Sequence, residues 1–173
     1  MTPPLDAAEL FRRLAAAGVD HVVIGGFAVI AHGVIRATKD VDVCPSPARD
    51  NLERLAALLR ELHARQVGED ALEPQEFPLD PTNPEDLAQG GNFLVETDMG
   101  RLDIMQWVKG IGEDHAYAEL AARAVVGEAF GVRIAVASLP HLRRMKRAAA
   151  RQQDLQDLRA LAEAHGEDEA GGD

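Results

Sequence analysis

Cysteine is almost missing from this 173-residue chain: Cys44 stands alone, so no disulfide framework forms within it. Aromatic side chains are scarce, with one Trp, one Tyr and five Phe. The core must therefore be built mainly from Ala, Val, Leu and Ile. No apolar run approaches the roughly 20 residues that cross a bilayer, and the opening MTPPLDAAEL lacks the basic and apolar layout of a secretory leader. These absences lead to the expectation of a folded cytoplasmic protein with no membrane partner. The length suits one domain with a real core, or one domain with a small helical appendage.

Positive charge is also in deficit. Lys and Arg number 18 against 29 Asp and Glu, for a formal net charge of −11, which argues against general coating of nucleic acid. The imbalance is local. After Arg159 come Glu163, Glu167, Asp168, Glu169 and Asp173 with no Lys or Arg, so residues 166–173 are expected as an acidic, disordered tail. Acid is missing in turn from Arg133 to Arg151, which carries Arg133, Arg143, Arg144, Lys146, Arg147 and Arg151. Such a segment suits local binding of a polyanion, such as a nucleoside triphosphate or an RNA end.

Periodicity then places the elements. DAAELFRRLAAAG reads as a helix capped by Asp6 and stopped by Gly18, with Leu10, Phe11, Leu14 and Ala17 as its apolar stripe. HVVIGG is a short buried strand, GFAVIAHG a helix opening from the glycine pair, and DVDVC a strand of period two. Ser46-Pro47 should start the next helix, with Leu52, Leu55, Leu59 and Leu62 on its buried face. From Gln66 to Gly91 the pattern dissolves around Pro74, Pro78, Pro81 and Pro84, which predicts a long loop or irregular extended pieces. NFLVETDMGRLDIMQWV reads as a hairpin, DHAYAELAARA as a short helix, and AVVGEAFGVRIAVAS as a second hairpin with Gly127 and Gly131 near its turn. Ser138 caps a final region that is one helix or two meeting near Arg151. The order is not a regular βαβ repeat, so the expected fold class is α/β (α+β) with a mixed sheet flanked by helices.

The chemistry sits in VVIGGFAVIAHGVIRATKDVDVCPSP. A strand running into Gly25-Gly26 and then a helix presents free backbone N–H groups, suited to phosphate. Alone, such a pair is more often explained by packing. Asp40 and Asp42 change that. Residues i and i+2 of a strand share a face, so the two carboxylates stand side by side while Val41 and Val43 point into the core. Neighbouring carboxylates call for a cation or strong donors. Arg36 or Lys39 would supply one locally; Mg²⁺ answers the electrostatics more directly, since it takes oxygen ligands from one or two carboxylates plus substrate phosphates. Asp103 is a third carboxylate in an apolar strand. It is either a strand residue paired with Arg101 or Lys109, or the partner that completes a two-metal site if its strand lies beside that of Asp40. His32 reads as a packed or capping residue, Thr38 as a cap, Cys44 as a small strand-end residue and Trp107 as core.

IGGFAVIAHGVIRATKDVDV resembles the signature of the nucleotidyltransferase (DNA polymerase beta-like) superfamily: an apolar residue and a glycine pair, a spacer, then Asp-x-Asp on the next strand. The spacer of thirteen residues from Gly26 to Asp40 is at the long end. LDI looks like the family's third carboxylate, and SLPHLRRMKRAAARQQDLQDLRAL resembles the C-terminal motif of small AbiEii-type, toxin-like members. The resemblance implies a nucleotidyltransferase-like core over residues 1–137 and a helical region over 138–165 packed on it. It implies Asp40, Asp42 and Asp103 as catalytic and metal-holding residues, with Gly25, Gly26, Arg36, Lys39 and Lys146 at the nucleotide. Asp154 and Asp157 match the same C-terminal motif without an assigned role. The implied cofactor is Mg²⁺ or Mn²⁺ and the donor substrate an NTP such as ATP. The acceptor is an RNA end such as tRNA, a protein or a small molecule, and the setting a toxin–antitoxin or defence system with a cognate antitoxin. The contrasting expectation is an inactive nucleotide- or partner-binding module of the same fold.

Overall fold

Asp6 begins the first helix as expected: its side chain accepts from the Glu9 N–H at 3.0 Å, and α1 spans Ala7–Ala16. The computed structural model describes residues 3–67, 79–112 and 116–168. The remaining elements follow in the order β1 (His21–Ile24), α2 (Gly25–Ala31), β2 (Asp40–Pro45), α3 (Arg49–Glu61), β3 (Arg65–Gln66), α4 (Pro84–Ala88), β4 (Asn92–Thr97), β5 (Gly100–Met105), α5 (Ala116–Ala122), β6 (Val125–Ala129), β7 (Val132–Val136), α6 (Leu139–Ala149) and α7 (Gln152–His165).

The strands form one seven-stranded sheet in the order β3-β4-β5-β2-β1-β7-β6. Two pairings are parallel, β2 with β5 and β1 with β7, and the rest antiparallel. The mixed α/β expectation holds. Strand alternation divides the apolar side chains between two layers. One face carries Val23, Val41, Val43, Phe93, Val95, Leu102 and Ile104 against α1 and α3, including the fully buried Leu10, Leu14, Leu55 and Leu59. The other carries Val22, Ile24 and Cys44 against Ala28 and Val29 of α2, Leu120 of α5, Leu142 of α6 and Leu161 of α7. Each fully buried leucine contributes about 1.5–3 kcal/mol of transfer free energy, so few aromatics are needed.

Four local expectations change. The third helix starts at Arg49, not at Pro47. Asn51 Nδ2 donates to the Asp20 and Ser46 carbonyls, both at 2.9 Å, which ties residues 46–48 to the loop after α1 and delays the first turn. The proline-rich region contains α4, with Asn83 accepting from the Glu85 N–H at 3.0 Å and Pro84 in the first turn; Pro74 and Pro78 lie outside the described residues. Gly127 pairs with Ile134 inside β6, and the turn is Phe130-Gly131, both at positive φ (56° and 78°). Of the two readings of the C-terminal region, two helices meeting near Arg151 is the one observed, because Ala150 takes the left-handed conformation (φ 51°) between them. The start of the acidic tail is docked as well: Asp168 pairs with Arg143 and Arg147, and Arg143 Nη2 donates to the Gly166 carbonyl at 2.6 Å.

Candidate active site

β2 and β5 run side by side with Asp40 opposite Arg101 and Asp42 opposite Asp103. Ladder partners share a sheet face, so the three carboxylates and Arg101 project from one face while Val41, Val43, Leu102 and Ile104 fill the core on the other. On the far side of β2, Asp42 is opposite Ile24, the last residue of β1. That register brings Gly25 against the carboxylate strand. Gly25 has φ +68°, and a Cβ there would stand 2.8 Å from Asp42 Cγ and closer still to Oδ2. A Cβ on Gly26 would stand 2.6 Å from Thr38 Oγ1. The glycine pair is thus what lets the first turn of α2 close on residues 38–42. Thr38 Oγ1 in turn donates to the Asp40 carbonyl at 3.2 Å.

The crowding shows in the electrostatics. Burial, with the negative charges of Asp40 and Asp103, pushes the Asp42 carboxyl up to about 7, against an opposing pull from Lys146 and Arg151. Asp103 is buried, at 5% exposure, and burial raises its carboxyl too, although Arg101 resists. A single guanidinium nitrogen, Arg101 Nη2, lies 3.0 and 3.1 Å from the two Asp103 oxygens. Arg101 Nε is buried with no hydrogen-bond partner.

A second charged layer lies beneath α6 and α7. Lys146 Nζ is 3.1 Å from Asp154 Oδ1 and 2.9 Å from Asp157 Oδ2, and all three residues are buried. Arg36 Nη1 reaches Asp157 Oδ2 at 2.6 Å, and Arg151 Nε reaches Asp154 Oδ2 at 2.8 Å. Burial alone would raise the Asp154 carboxyl; hydrogen bonds from Arg151 and Lys146 and the Lys146 charge hold it below its ordinary value. This network joins the segment before β2 to both C-terminal helices, and its Lys146 and Arg151 charges act on Asp42.

No protein-family model and no curated protein matches the sequence. The structure is similar to the solution structure of the antibiotic-resistance factor ANT(2'')-Ia, a nucleotidyltransferase, with a TM-score of 0.53 and 18% identity over 91% of this chain and 83% of that one. The fold is nucleotidyltransferase-like.

Within that fold, Gly25, Gly26, Asp40, Asp42 and Asp103 are brought together. Arg36 and Lys146 lie in the adjoining network, each engaged by acid: Arg36 with Asp157 rather than with Asp40 or Asp42, and Lys146 with both α7 aspartates. Lys39 is exposed. Trp107 is 52% exposed and outside the core, with Asn92 Nδ2 donating to its carbonyl at 3.0 Å. His32 caps α2, its ring 2.8 Å from the Ala137 carbonyl. Arg101 and Arg151 join the site beyond the residues expected there, Arg101 through Asp103 and Arg151 through its charge on Asp42. Their signal was present, since Arg101 stands two residues before Asp103 on one strand face and Arg151 three before Asp154.

For a divalent cation the donor type is apt: hard carboxylate oxygens, two of them on adjacent same-face positions, with Asp42 raised by burial and then by like charge. Asp103 is turned to Arg101, and among the described residues no three His, Cys, Asp or Glu side chains are gathered closely enough to hold a metal ion. Asp40 and Asp42 supply the oxygen type such an ion takes, while Asp103 is engaged by Arg101. An apolar cleft of about 330 Å³ between α1, α2 and the β6–β7 hairpin contains none of these residues.

Proposed function

We propose that the protein is a Mg²⁺- or Mn²⁺-dependent nucleotidyltransferase that moves NMP from an NTP such as ATP to an acceptor hydroxyl. The observation that carries this is the register of Asp42 with Asp103, two positions from Asp40, directly beside the Gly25 turn. Asp40 and Asp42 would hold the cation, and Gly25 and Gly26 would offer backbone N–H groups to the triphosphate. A cation there supplies neutralisation of phosphate charge and activation of the acceptor oxygen. Asp103 takes the proton of the acceptor hydroxyl as its oxygen bonds to the α-phosphorus; the α–β phosphoanhydride bond breaks and pyrophosphate leaves. Lys146 and Arg36 border the site as positive charge for the phosphates, with Lys39 at its open edge.

A small cationic molecule fits best as acceptor. Arg143 and Arg147 pair with Asp168, Arg144 Nη1 reaches Glu119 at 2.8 Å, and Lys146 and Arg151 pair with α7 aspartates. The basic run that suited a polyanionic acceptor is thus largely neutralised from within, in a chain of net charge −11. The similar structure belongs to an antibiotic-resistance factor. A second reading, an RNA or protein acceptor in a toxin–antitoxin or defence system with a cognate antitoxin, draws on the AbiEii-like α6–α7 sequence. The test is incubation with each α-labelled NTP and Mg²⁺ beside panels of aminoglycosides and other drugs, total RNA and cell extract, with Asp40→Ala/Asp42→Ala as control. Carboxylate-dependent label transfer is expected. No transfer to any panel, together with no Mg·NTP binding, supports the inactive binding module instead.

A further inference from the structure

We infer that Arg101 is a built-in stand-in for a metal ion at Asp103, and that the third carboxylate becomes a ligand only when this guanidinium is exchanged for a divalent cation. The inference rests on the metal-site reading above and concerns a residue that reading leaves without a role. Three observations carry it. Asp103 is buried, and one guanidinium nitrogen of Arg101 lies within hydrogen-bond distance of both its oxygens. Arg101 is the ladder partner of Asp40, so its side chain emerges on the carboxylate face beside the Asp40–Asp42 pair, where a cation would sit. Its Nε is buried and unpartnered.

A buried donor left unsatisfied is costly. The guanidinium is therefore held to Asp103 by charge, with part of its hydrogen-bonding capacity unspent. A triphosphate arriving on the Gly25 side offers the fork of oxygens that guanidinium groups bind best. Transfer of Arg101 from Asp103 to a phosphate satisfies that capacity and frees both carboxylate oxygens in one movement. The device keeps an empty site electrically balanced and makes completion of the metal site depend on the nucleotide. Arg101 is in this account a positioning residue that acts through Asp103.

Mn²⁺ binding to the full chain tests this without turnover, read as loss of the free-ion signal in electron paramagnetic resonance and as the Mn²⁺-induced rise in melting temperature. Removing the competing cation in Arg101→Gln should tighten Mn²⁺ binding roughly tenfold in the absence of nucleotide, equivalent to about 1.4 kcal/mol. The gain should vanish in Arg101→Gln/Asp103→Asn. Arg101→Lys, which keeps the charge, should bind like wild type and covers the case in which the Gln variant folds poorly. Equal or weaker binding by Arg101→Gln, or a gain that survives loss of Asp103, overturns the inference while leaving the metal site standing. No Mn²⁺ binding by wild type or any variant overturns both.

Discussion

Asp42→Asn should make the metal-free protein more stable at pH 8. The Asp42 carboxyl sits at about 7 in the folded chain against 3.8 in an open one, chiefly through burial and then through Asp40 and Asp103. Between those values the folded state binds more protons than the unfolded state. Stability therefore falls as pH rises from about 4 to 7 and levels off above that. A gap of about 3 in pKa corresponds to about 4 kcal/mol. Asp42 is only partly buried by its surface area, and solvent screening reduces the expected effect to ~2 kcal/mol. In a chain of this size that is roughly 4–8 °C in Tm. The assay is urea or thermal unfolding in chelator-treated buffer from pH 4 to 8. Asp42→Asn should gain most at pH 8 and nothing near pH 4. A variant that is no more stable than wild type at pH 8, or whose advantage does not change with pH, refutes the reasoning.

Gly25→Ala should lower Tm well beyond the ~1 kcal/mol of an ordinary helical glycine change, since its Cβ meets Asp42; Gly33→Ala, also at positive φ but with nothing within 4 Å, should cost less in the same melt. Lys146→Met should destabilise by about 3 kcal/mol in denaturant unfolding, because it leaves Asp154 and Asp157 buried with less positive charge, Arg36 and Arg151 making up part of the loss. Trp107→Ala should change stability by no more than about 0.5 kcal/mol, given its exposure, and a larger loss in the same measurement would place the ring in the core after all.

Much of this could be read from the chain because the relevant signals are local. Period two in DVDVC fixed which face Asp40 and Asp42 share, and the cap at Asp6 and the stop at Gly18 bounded α1. The partnership of Asp42 with Asp103 depends on β5 pairing with β2 across sixty residues of chain, which alternation suggests only as a condition. The start of α3 depends on Asn51 joining the Ser46 carbonyl to that of Asp20, 31 residues away. The run of basic residues looked like an open cationic face because its neutralising acids, Glu119, Asp154, Asp157 and Asp168, come from other elements. Pairing over distance, rather than composition, decided each of these.

The central claim is that the Gly25 turn and the Asp40–Asp42 pair hold a metal-bound triphosphate. Calorimetric titration of a non-hydrolysable ATP, GTP, CTP or UTP analogue, with and without Mg²⁺, tests it without knowledge of the acceptor. The account predicts saturable binding of at least one analogue that requires Mg²⁺ and is lost in Asp40→Asn/Asp42→Asn. Absence of binding by the folded wild-type protein, or binding indifferent to both the metal and the aspartates, would contradict it.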